Sequence, residues 1–481
     1  MTTTTKSGGS SGNPISNYIK DFSVLKDNKA SYWAVQAVNI LDCVAYYAMI
    51  TTITLFLTGN VGLEDDISGY VVTGYGIAVS LTLVVAGFLT DSFGMRKATF
   101  IGIGLQTLCR VGILVLGLSP EIPGREWMIV FLIILSAPGQ AMMQAVFQAG
   151  TKLFSSKRSQ SASYNVWYLL MNLGFALGGL SVDVIRKTLE LDLSYIYGMN
   201  AVTGILAILV GLAIVKKSEQ GTEEDEPATN EKKVSGWEKF LGLFKQPPFK
   251  RMLALMGVLL GVRAVFLYTF MLMPLYWART IEASSGELMD MGFVQSINPI
   301  MIFAGVFLFI PLANKWNMFK MLIVGTLMST AAIWLLVMPW QWFGDSVASG
   351  YLWMTVWMMI LLSLGEIIWS PKLYDYIATV APKGQEGSYL GMGMIPWFLA
   401  KTIVGLLAGH MLMRWVPEGI HTSIEAGTLG FWDSPEAMWL ILATWATLSV
   451  LVAWLFRGWF TKGTSAEVEV EEAPEAKTTT A

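Results

Sequence analysis

The stretch YLWMTVWMMILLSLGEIIWSPKLY, residues 351–374, is apolar over about the length that crosses a lipid bilayer. One carboxylate, Glu366, interrupts its second half. A carboxylate near the bilayer centre costs about 2.5–3.5 kcal/mol even on lenient insertion scales, so such a residue faces a cavity or a partner. The stretch therefore predicts a membrane-spanning helix beside a polar pathway.

The composition extends this prediction to the whole chain. Hydrophobic residues make up 54% of the 481 residues and charged residues only 14%, against about 25% charged in a soluble domain. The pattern predicts an all-α membrane protein with twelve transmembrane helices. The apolar stretches lie near 33–58, 68–90, 98–118, 127–151, 162–182, 195–215, 252–276, 290–313, 318–340, 351–376, 388–412 and 436–459.

Lys and Arg are distributed unevenly between the loops, which predicts the orientation. Arg96, Lys97 and the basic residues of loop 216–251 fall on one side, whereas loops 59–67 and 341–350 contain no Lys or Arg. The basic side is expected to be cytoplasmic. We therefore expect a multi-pass protein of the plasma (inner) membrane with both termini in the cytoplasm.

Loop 216–251 also divides the chain. It separates a six-helix bundle at 31–215 from a second one at 252–462, and its charged composition is typical of a solvated cytoplasmic linker. Residues 1–30 are expected to form a cytoplasmic tail, and the acidic residues 463–481 a disordered tail. Six plus six spans indicate a repeat-built transporter with a site near the midplane.

The loop after the second span reads GFLTDSFGMRK, residues 87–97. Gly87 and Gly94 allow close helix approach and a tight turn, and Asp91 can accept hydrogen bonds from a neighbouring helix end or pair with a cation. The segment closely resembles the G-x-x-x-D-x-x-G-R-K loop of the major facilitator superfamily. The resemblance implies a fold of two six-helix bundles and a gating role for Asp91 and Arg96.

Four more segments resemble the proton-coupled oligopeptide transporter family within that superfamily. GEIIWSP (365–371) is similar to its tenth helix, QSINP (295–299) to its eighth, WYLLMNLG (167–174) to its fifth and NILDCVAYY (39–47) to its first. Together they cover both halves of the chain. They imply a transporter that works by alternating access.

The departures from that family concern charged residues. Asp42 keeps one acid of the first-helix motif, but Asn39 and Cys43 replace its other acid and its Arg. Ile50 stands where the family often has a second Arg, and Met142 where its fourth helix has a Lys. Proton coupling is therefore left open, with protons as an optional second partner.

The resemblance also assigns substrate contacts. It implies that Glu366 receives a substrate ammonium; the alternative is a structural ion pair with Lys401 or Lys372. Three further positions match cavity-lining residues of the family: Tyr47, Asn172 and Asn298.

The first span carries a polar face of its own. Gln36, Asn39, Asp42 and Tyr46 recur at steps of three and four residues, so they share one side of a helix. In lipid such a face must contact protein or water. Asp42 is then either a proton site or one half of a salt bridge.

Mid-span cations provide candidate partners for Asp42. Arg263 lies in the seventh predicted span and Lys401 in the eleventh. We expect an outer gate in which Asp42 pairs with Arg263, and Asn39 beside them. More generally, we expect Asp42, Arg263, Glu366 and Lys401 to surround one aqueous chamber between the halves.

The fourth and eleventh predicted spans add neutral candidates. Gln140, Gln144 and Gln148 are spaced to share one helix face, and Gln144 is a candidate substrate contact. Trp397 lies four residues before Lys401, so both can face the substrate. Arg110, in the third predicted span, receives no role from the sequence.

The sequence disfavours other functional classes. It has no phosphate-binding glycine loop or nucleophile elbow, and its two histidines are not part of a metal-ligand cluster. We expect no enzyme activity, metal, cofactor or nucleic-acid partner, only the bilayer and a small solute. The leading hypothesis is transport of peptides or amino-acid-like, amine-bearing solutes. The alternatives are a relative that carries another small cationic or neutral metabolite without proton coupling, and a non-transporting receptor or scaffold.

Overall fold

The computed structural model describes residues 22–156, 158–216, 242–313, 317–382, 389 and 395–462. Most of both predicted tails and of the linker 216–251 lies outside these ranges. The described residues contain helices and no strands. They agree with the expected all-α class.

Thirteen longer helices account for most of the described residues. They are α1 (Ala30–Ile50), α2 (Asp65–Phe93), α3 (Met95–Gly117), α4 (Arg125–Phe154), α5 (Gln160–Asp183), α6 (Ser194–Gly211), α7 (Pro247–Val258), α8 (Leu260–Met271), α9 (Met291–Ala313), α10 (Met318–Trp334), α11 (Val347–Val380), α12 (Ile395–Trp415) and α13 (Pro435–Leu455). Short helical turns connect them at Phe22–Asp27, Ile53–Leu55, Phe56–Val61, Val184–Thr188, Met273–Trp277, Ala278–Glu282, Ala283–Ser285, Leu335–Val337, Trp340–Trp342, Ile420–Glu425, Phe431–Asp433 and Arg457–Thr461. We call α1–α6 the first half and α7–α13 the second half.

Within the described residues, eight helices are long and apolar enough to cross a membrane. The pair α7 and α8 makes a ninth span if the two, bent by 45° at Leu259, are taken together. The other three predicted spans are helical as well, in α2, α9 and α12. The expected architecture is thus present, and length and composition support eight or nine of its twelve spans.

Local sequence signals explain several helix boundaries. Gly94 separates α2 from α3 with a φ of +80°, a conformation that favours glycine, so the expected tight turn is confirmed. Ser346 and Ser349 form a capping box at the start of α11. Gly87 does not serve the expected close approach, because a Cβ at this position would meet no other atom within 4 Å.

Two pairs of helices join the halves, α2 with α12 and α5 with α9. A Cβ added to Gly292 of α9 would collide with the carbonyl oxygen of Gly179 on α5, and one added to Gly409 of α12 would collide with Asp65 at the start of α2. Small residues of this kind allow membrane helices to pack at backbone distance. The two halves therefore meet through glycines along both pairs.

Candidate functional site

A cavity of about 300 Å³ lies between the two halves. Helices α1, α2, α4 and α5 contribute to its wall from the first half, and α8 and α12 from the second. Its described lining residues are Tyr46, Tyr47, Ile50, Val72, Tyr75, Gly76, Val79, Leu83, Gln144, Phe175, Leu267, Phe270, Met271 and Lys401. Three predicted site residues, Tyr47, Gln144 and Lys401, thus share one cavity.

Aromatic rings form much of the cavity wall. Tyr47 stacks on Phe175, with ring centres 5.1 Å apart, and meets the edge of Phe270 at 5.7 Å. Its hydroxyl donates a hydrogen bond of 2.7 Å to the carbonyl oxygen of Gln295 on α9. Tyr47 therefore connects the two halves at the cavity in two ways, through its hydroxyl on Gln295 and through its ring on Phe270.

Lys401 is the one Lys, Arg, Asp or Glu among the described lining residues. It is half-buried, and its aliphatic chain passes Gly76 of α2, where a Cβ would lie 3.8 Å from Cδ of Lys401. No hydrogen bond or ion pair links its ammonium to another described side chain. The described lining thus contains one basic side chain, that of Lys401.

The three glutamines of α4 have different surroundings. Gln140 is buried and donates to Asp42, Gln144 lines the cavity, and Gln148 is exposed. The three glutamines therefore do not share one environment as expected. Residues four apart on a helix point in slightly different directions, so the side chains move from the protein interior to the cavity and then to the surface. Only Gln144 lines the cavity.

Glu366 lies beside the cavity, on α11. One carboxylate oxygen accepts a hydrogen bond of 2.8 Å from the side-chain amide of Asn298, which also donates to Ser363 at 3.2 Å. Arg263 and Glu366 attract each other electrostatically. Tyr47, which lines the cavity, also interacts electrostatically with Glu366.

Arg263 is buried in the second half. Its guanidinium carbon lies 4.6 Å from the centre of the Trp369 ring, within the range of a cation–π contact. The expected pairing with Asp42 does not occur, since Asp42 has a different cation beside it. Lys372, the other suggested partner of Glu366, pairs with Asp375 at 3.0 Å.

Asp42 belongs to a network inside the first half. Oδ1 of Asp42 lies 3.8 Å from Nη2 of Arg110 and accepts a hydrogen bond from Gln106 at 3.4 Å, and Oδ2 accepts one from Gln140 at 3.4 Å. Arg110 in turn donates to Gln106 at 2.6 Å and to the carbonyl of Asn200 at 3.3 Å. Arg110, which the sequence could not place, is therefore the partner of Asp42.

Two amides that were expected to serve the site make helix contacts instead. Asn172 is buried and donates to the carbonyl of Tyr168 one turn earlier, at 2.9 Å. Asn39 is buried, accepts a weak bond from Cys43 and lies 3.5 Å from the carbonyl of Trp167. Asn39 thus joins α1 to α5, and neither amide is among the described cavity-lining residues.

The remaining predicted residues are only partly described. Arg96 is half-buried and stands over the ring of Phe100 at 5.7 Å. Asp91 falls at the end of α2 and Trp397 within α12, but their side chains lie outside the described part of the structure.

The expectation of a single shared chamber is not met. Asp42 is enclosed in the first half, Glu366 and Arg263 neighbour each other in the second, and Lys401 lines the cavity between them. Because a buried charge needs a partner, each half satisfies its own acid locally. Among the charged residues considered, only Lys401 is left facing the cavity.

The two halves are also joined by ion pairs at one end of the molecule, which we call the Asp65 end. Arg279 forms two hydrogen bonds to Asp65, at 2.6 and 2.8 Å, and Arg186 forms two to Glu282. All four side chains are about nine-tenths buried.

Backbone groups add to this closure. Asp183, at the end of α5, accepts hydrogen bonds of 2.7 and 2.6 Å from the amides of Gly292 and Phe293, at the start of α9. A carboxylate at a helix N-terminus satisfies unpaired amides and is favoured by the helix dipole. The Asp65 end is therefore closed by charge as well as by packing.

Sequence reasoning missed much of this geometry. Tyr75, Phe175 and Phe270 were not selected, because an aromatic residue in an apolar helix is indistinguishable from a packing residue. Arg279 and Asp65 are 214 residues apart, so no local spacing relates them. The sequence did contain a clue to this pair. Few charged residues lie near helix ends on the side of loops 59–67 and 341–350, and each of them needs a partner of opposite charge.

Comparisons with known proteins agree with the fold. A family model described as Major Facilitator Superfamily matches residues 37–405. No curated protein matches the sequence. Among solved structures, a peptide transporter POT in complex with sulfate is 16% identical with a TM-score of 0.69, over 89% of this chain and 94% of that one.

Two further solved structures have the same fold. The POT family transporter PepTSo is 13% identical, with a TM-score of 0.65, over 90% of this chain and 98% of that one. A bacterial homologue of the human drug peptide transporters PepT1 and PepT2 is 15% identical, with a TM-score of 0.65, over 89% and 98%. At such identities the likeness concerns architecture, while the site residues have to be judged from this chain.

Proposed function

The chain belongs to the Major Facilitator Superfamily, and from that premise we propose that it moves short peptides or amino-acid-like, amine-bearing solutes across a membrane by alternating access. It is a multi-pass membrane transporter whose fold resembles that of POT family peptide transporters. The single observation that carries the choice of solute is the cavity between the halves, with Lys401 in its lining and Glu366 close enough to influence Tyr47 of the same lining electrostatically.

The two ends of a zwitterionic solute fit these groups. Glu366, oriented by the amide of Asn298, accepts the solute ammonium, and Lys401 receives its carboxylate. Gln144 can hydrogen-bond the peptide group, and the ring of Tyr47 packs against the solute. Trp397 and Asn172 complete the proposed set, Asn172 by holding α5 in place.

Alternating access requires the halves to separate at one end while they meet at the other. The contacts at the Asp65 end support a conformation that is closed there. We assign the two moving bundles to 31–215 and 252–462, joined by a linker at 216–251, with tails at 1–30 and 463–481. The Asp65 end then faces outward, and both termini lie in the cytoplasm of a cell bounded by the plasma (inner) membrane.

Other polar residues have supporting roles in this scheme. Asp91 and Arg96 belong to the loop at the cytoplasmic end, where they stabilise closure in the opposite conformation. Asp42 and Asn39 keep α1 in register inside the first half, and Arg263 holds Glu366 in position. Because Asp42 is compensated by Arg110, the scheme does not require a proton, and transport follows the solute gradient.

The test is uptake of a radiolabelled dipeptide into proteoliposomes, with and without an imposed pH gradient. We expect saturable uptake that the gradient changes by less than about twofold, and a partial loss in Glu366→Gln. Gln148→Ala, an exposed position on α4, is the matched control and should transport normally. Absence of dipeptide uptake from protein that is folded by size-exclusion chromatography would refute the proposed solute class.

A further inference from the structure

We propose that the anionic group of the solute, bound by Lys401, is the primary determinant of recognition, and that a free amine contributes much less. The cavity would then select carboxylates with an apolar or aromatic body, including peptides whose amine is blocked. This inference rests on the proposed function and specifies its substrate class.

The charge of the cavity lining supports this order. Apart from Lys401, the described lining residues comprise aromatic, aliphatic and neutral polar side chains and a glycine. An ammonium ion in such surroundings has lost much of its hydration, so an anion stabilises it more than a neutral group does. A solute without a negative group would leave that ammonium uncompensated.

Lys401 is also available for a ligand. Two nearly buried arginines have acidic partners: Arg110 has Asp42 and Arg279 has Asp65. Lys401 has no such link to a described side chain, although it is half-buried. Its aliphatic chain is supported by Gly76 of the opposite half. A solute anion bound to Lys401 would therefore contact α12 of the second half and lie next to α2 of the first half.

Glu366 is expected to interact with the solute more weakly than Lys401 does. Its carboxylate already accepts a 2.8 Å hydrogen bond from Asn298 and is attracted by Arg263. A carboxylate that is partly satisfied by the protein gains less from an incoming ammonium than a free one would. Glu366 is also absent from the described lining residues, so a solute can fill the cavity without touching it.

The shape of the cavity specifies the rest of the solute. Its volume of about 300 Å³ lies at the small end of ordinary ligand sites. Tyr46, Tyr75, Phe175 and Phe270 provide flat apolar surfaces around it. A dipeptide-sized carboxylate with one aromatic side chain therefore matches both the charge and the walls.

Three matched ligands separate the two ends of the solute: alanyl-phenylalanine, N-acetyl-alanyl-phenylalanine and alanyl-phenylalanine amide. Each is tested as a competitor of labelled dipeptide uptake and for its shift of the thermal unfolding midpoint. We expect the acetylated acid to compete within about threefold of the free dipeptide, and the amide at least tenfold more weakly. Both acids, and not the amide, should raise the unfolding midpoint.

Substitutions connect the preference to Lys401. Lys401→Gln should abolish the difference between acid and amide, whereas Lys401→Arg keeps the charge and should retain most of it. Glu366→Gln should leave the ratio of acid to amide unchanged. Equal competition by the amide and the free dipeptide, or a preference that survives Lys401→Gln, would overturn the inference.

The outcomes also distinguish this inference from the proposed function. Transport of the dipeptide without a preference for the acid would retain the function and refute the inference. Stabilisation by the acetylated acid that depends on Lys401, without dipeptide uptake, would retain the anion site and refute peptide transport. Neither uptake nor stabilisation would refute both.

Discussion

The Asp65 end and the central cavity are built by overlapping sets of helices but differ in chemistry. At the Asp65 end, α2 contacts α12, and α5 contacts α9, through glycines, and nearly buried ion pairs beside them join Arg279 to Asp65 and Arg186 to Glu282. Around the cavity, α1, α2, α5 and α8 present aromatic rings, and α12 presents one lysine. The first region contains charges that compensate one another, and the second contains a charge without a described protein partner.

This difference separates two tasks along the same helices. Contacts that pair fully within the protein stabilise one relative position of the halves and leave nothing for a solute. A cation left facing a cavity does little for closure and much for recognition. We therefore expect substitutions at the Asp65 end to change the balance between conformations, and substitutions in the cavity to change affinity.

The largest effect should come from a pair that belongs to neither region, Arg110 and Asp42 inside the first half. Arg110→Met leaves a buried carboxylate without its cation, which typically costs about 3–5 kcal/mol, so the thermal unfolding midpoint should fall strongly. The double variant Arg110→Met/Asp42→Asn should recover most of the loss because no buried charge remains. A double variant as unstable as the single one would show that the pair is not what stabilises this network.

Next in size is the glycine contact at the Asp65 end. Gly292→Ala puts a methyl group against the carbonyl of Gly179, and forced overpacking costs about 1–3 kcal/mol or more. Dipeptide uptake should fall about tenfold or more while each half stays folded. In Gly179→Ala the methyl group would meet the Ser296 hydroxyl and the Gly292 carbonyl of the other half, so this variant should behave alike.

A matched control exists on α3, where a Cβ at Gly104 would meet no atom within 4 Å. Gly104→Ala should leave uptake within about twofold of the unsubstituted protein, since alanine favours the helix slightly over glycine. Normal uptake in both Gly292→Ala and Gly179→Ala would mean that closure of the Asp65 end is not required for transport.

The ion pair between Asp65 and Arg279 should have a smaller effect, which a reporter cysteine can measure. Ser296 is fully buried between α9 and α5, where its hydroxyl donates to the carbonyl of Ala176 at 3.0 Å. A cysteine at this position reacts with a maleimide only when the Asp65 end opens. The two native cysteines, Cys43 and Cys109, are buried and provide the background control.

In the Ser296→Cys protein, Asp65→Asn or Arg279→Gln should accelerate labelling about tenfold, because closely paired charges couple by about 1.5 kcal/mol or more. The double variant should be no faster than either single one, since residues in contact are not additive. Additive acceleration would show that Asp65 and Arg279 act separately. Gln144→Ala, in the cavity, should leave the labelling rate unchanged.

The smallest effect is expected from a substitution in the cavity lining. Gln144→Ala removes one neutral hydrogen-bonding group from the lining, worth about 0.5–1.5 kcal/mol, so KM for the dipeptide should rise about two- to tenfold. Gln148→Ala, one turn further along α4 and exposed, should not change KM. Equal effects of the two substitutions would contradict the assignment of Gln144 to the cavity.

The fold could be predicted from the sequence because it depends on local properties. Apolar length predicts the helices, and the segment 87–97 with its glycine at position 94 indicates the family and the turn between α2 and α3. The bend of 45° between α7 and α8 was not predicted, because the apolar stretch 252–276 predicts one span.

The site was predicted only in part. Tyr47, Gln144 and Lys401 share the cavity and Glu366 meets Asn298. Asp42, however, pairs with Arg110 and not with Arg263, because α1 and α3 lie in the same half. The linear sequence does not distinguish the two arginines as partners of Asp42. Pairings between distant helices depend on three-dimensional packing, which spacing along the chain does not encode.

The most direct test of transport by alternation of the two ends is dipeptide uptake by Ser296→Cys protein before and after its cysteine is alkylated with a bulky maleimide. The adduct holds the Asp65 end open, so we predict normal uptake before the reaction and uptake reduced to background after it. Uptake that continues at the same rate once labelling is complete would contradict the requirement for closure at the Asp65 end.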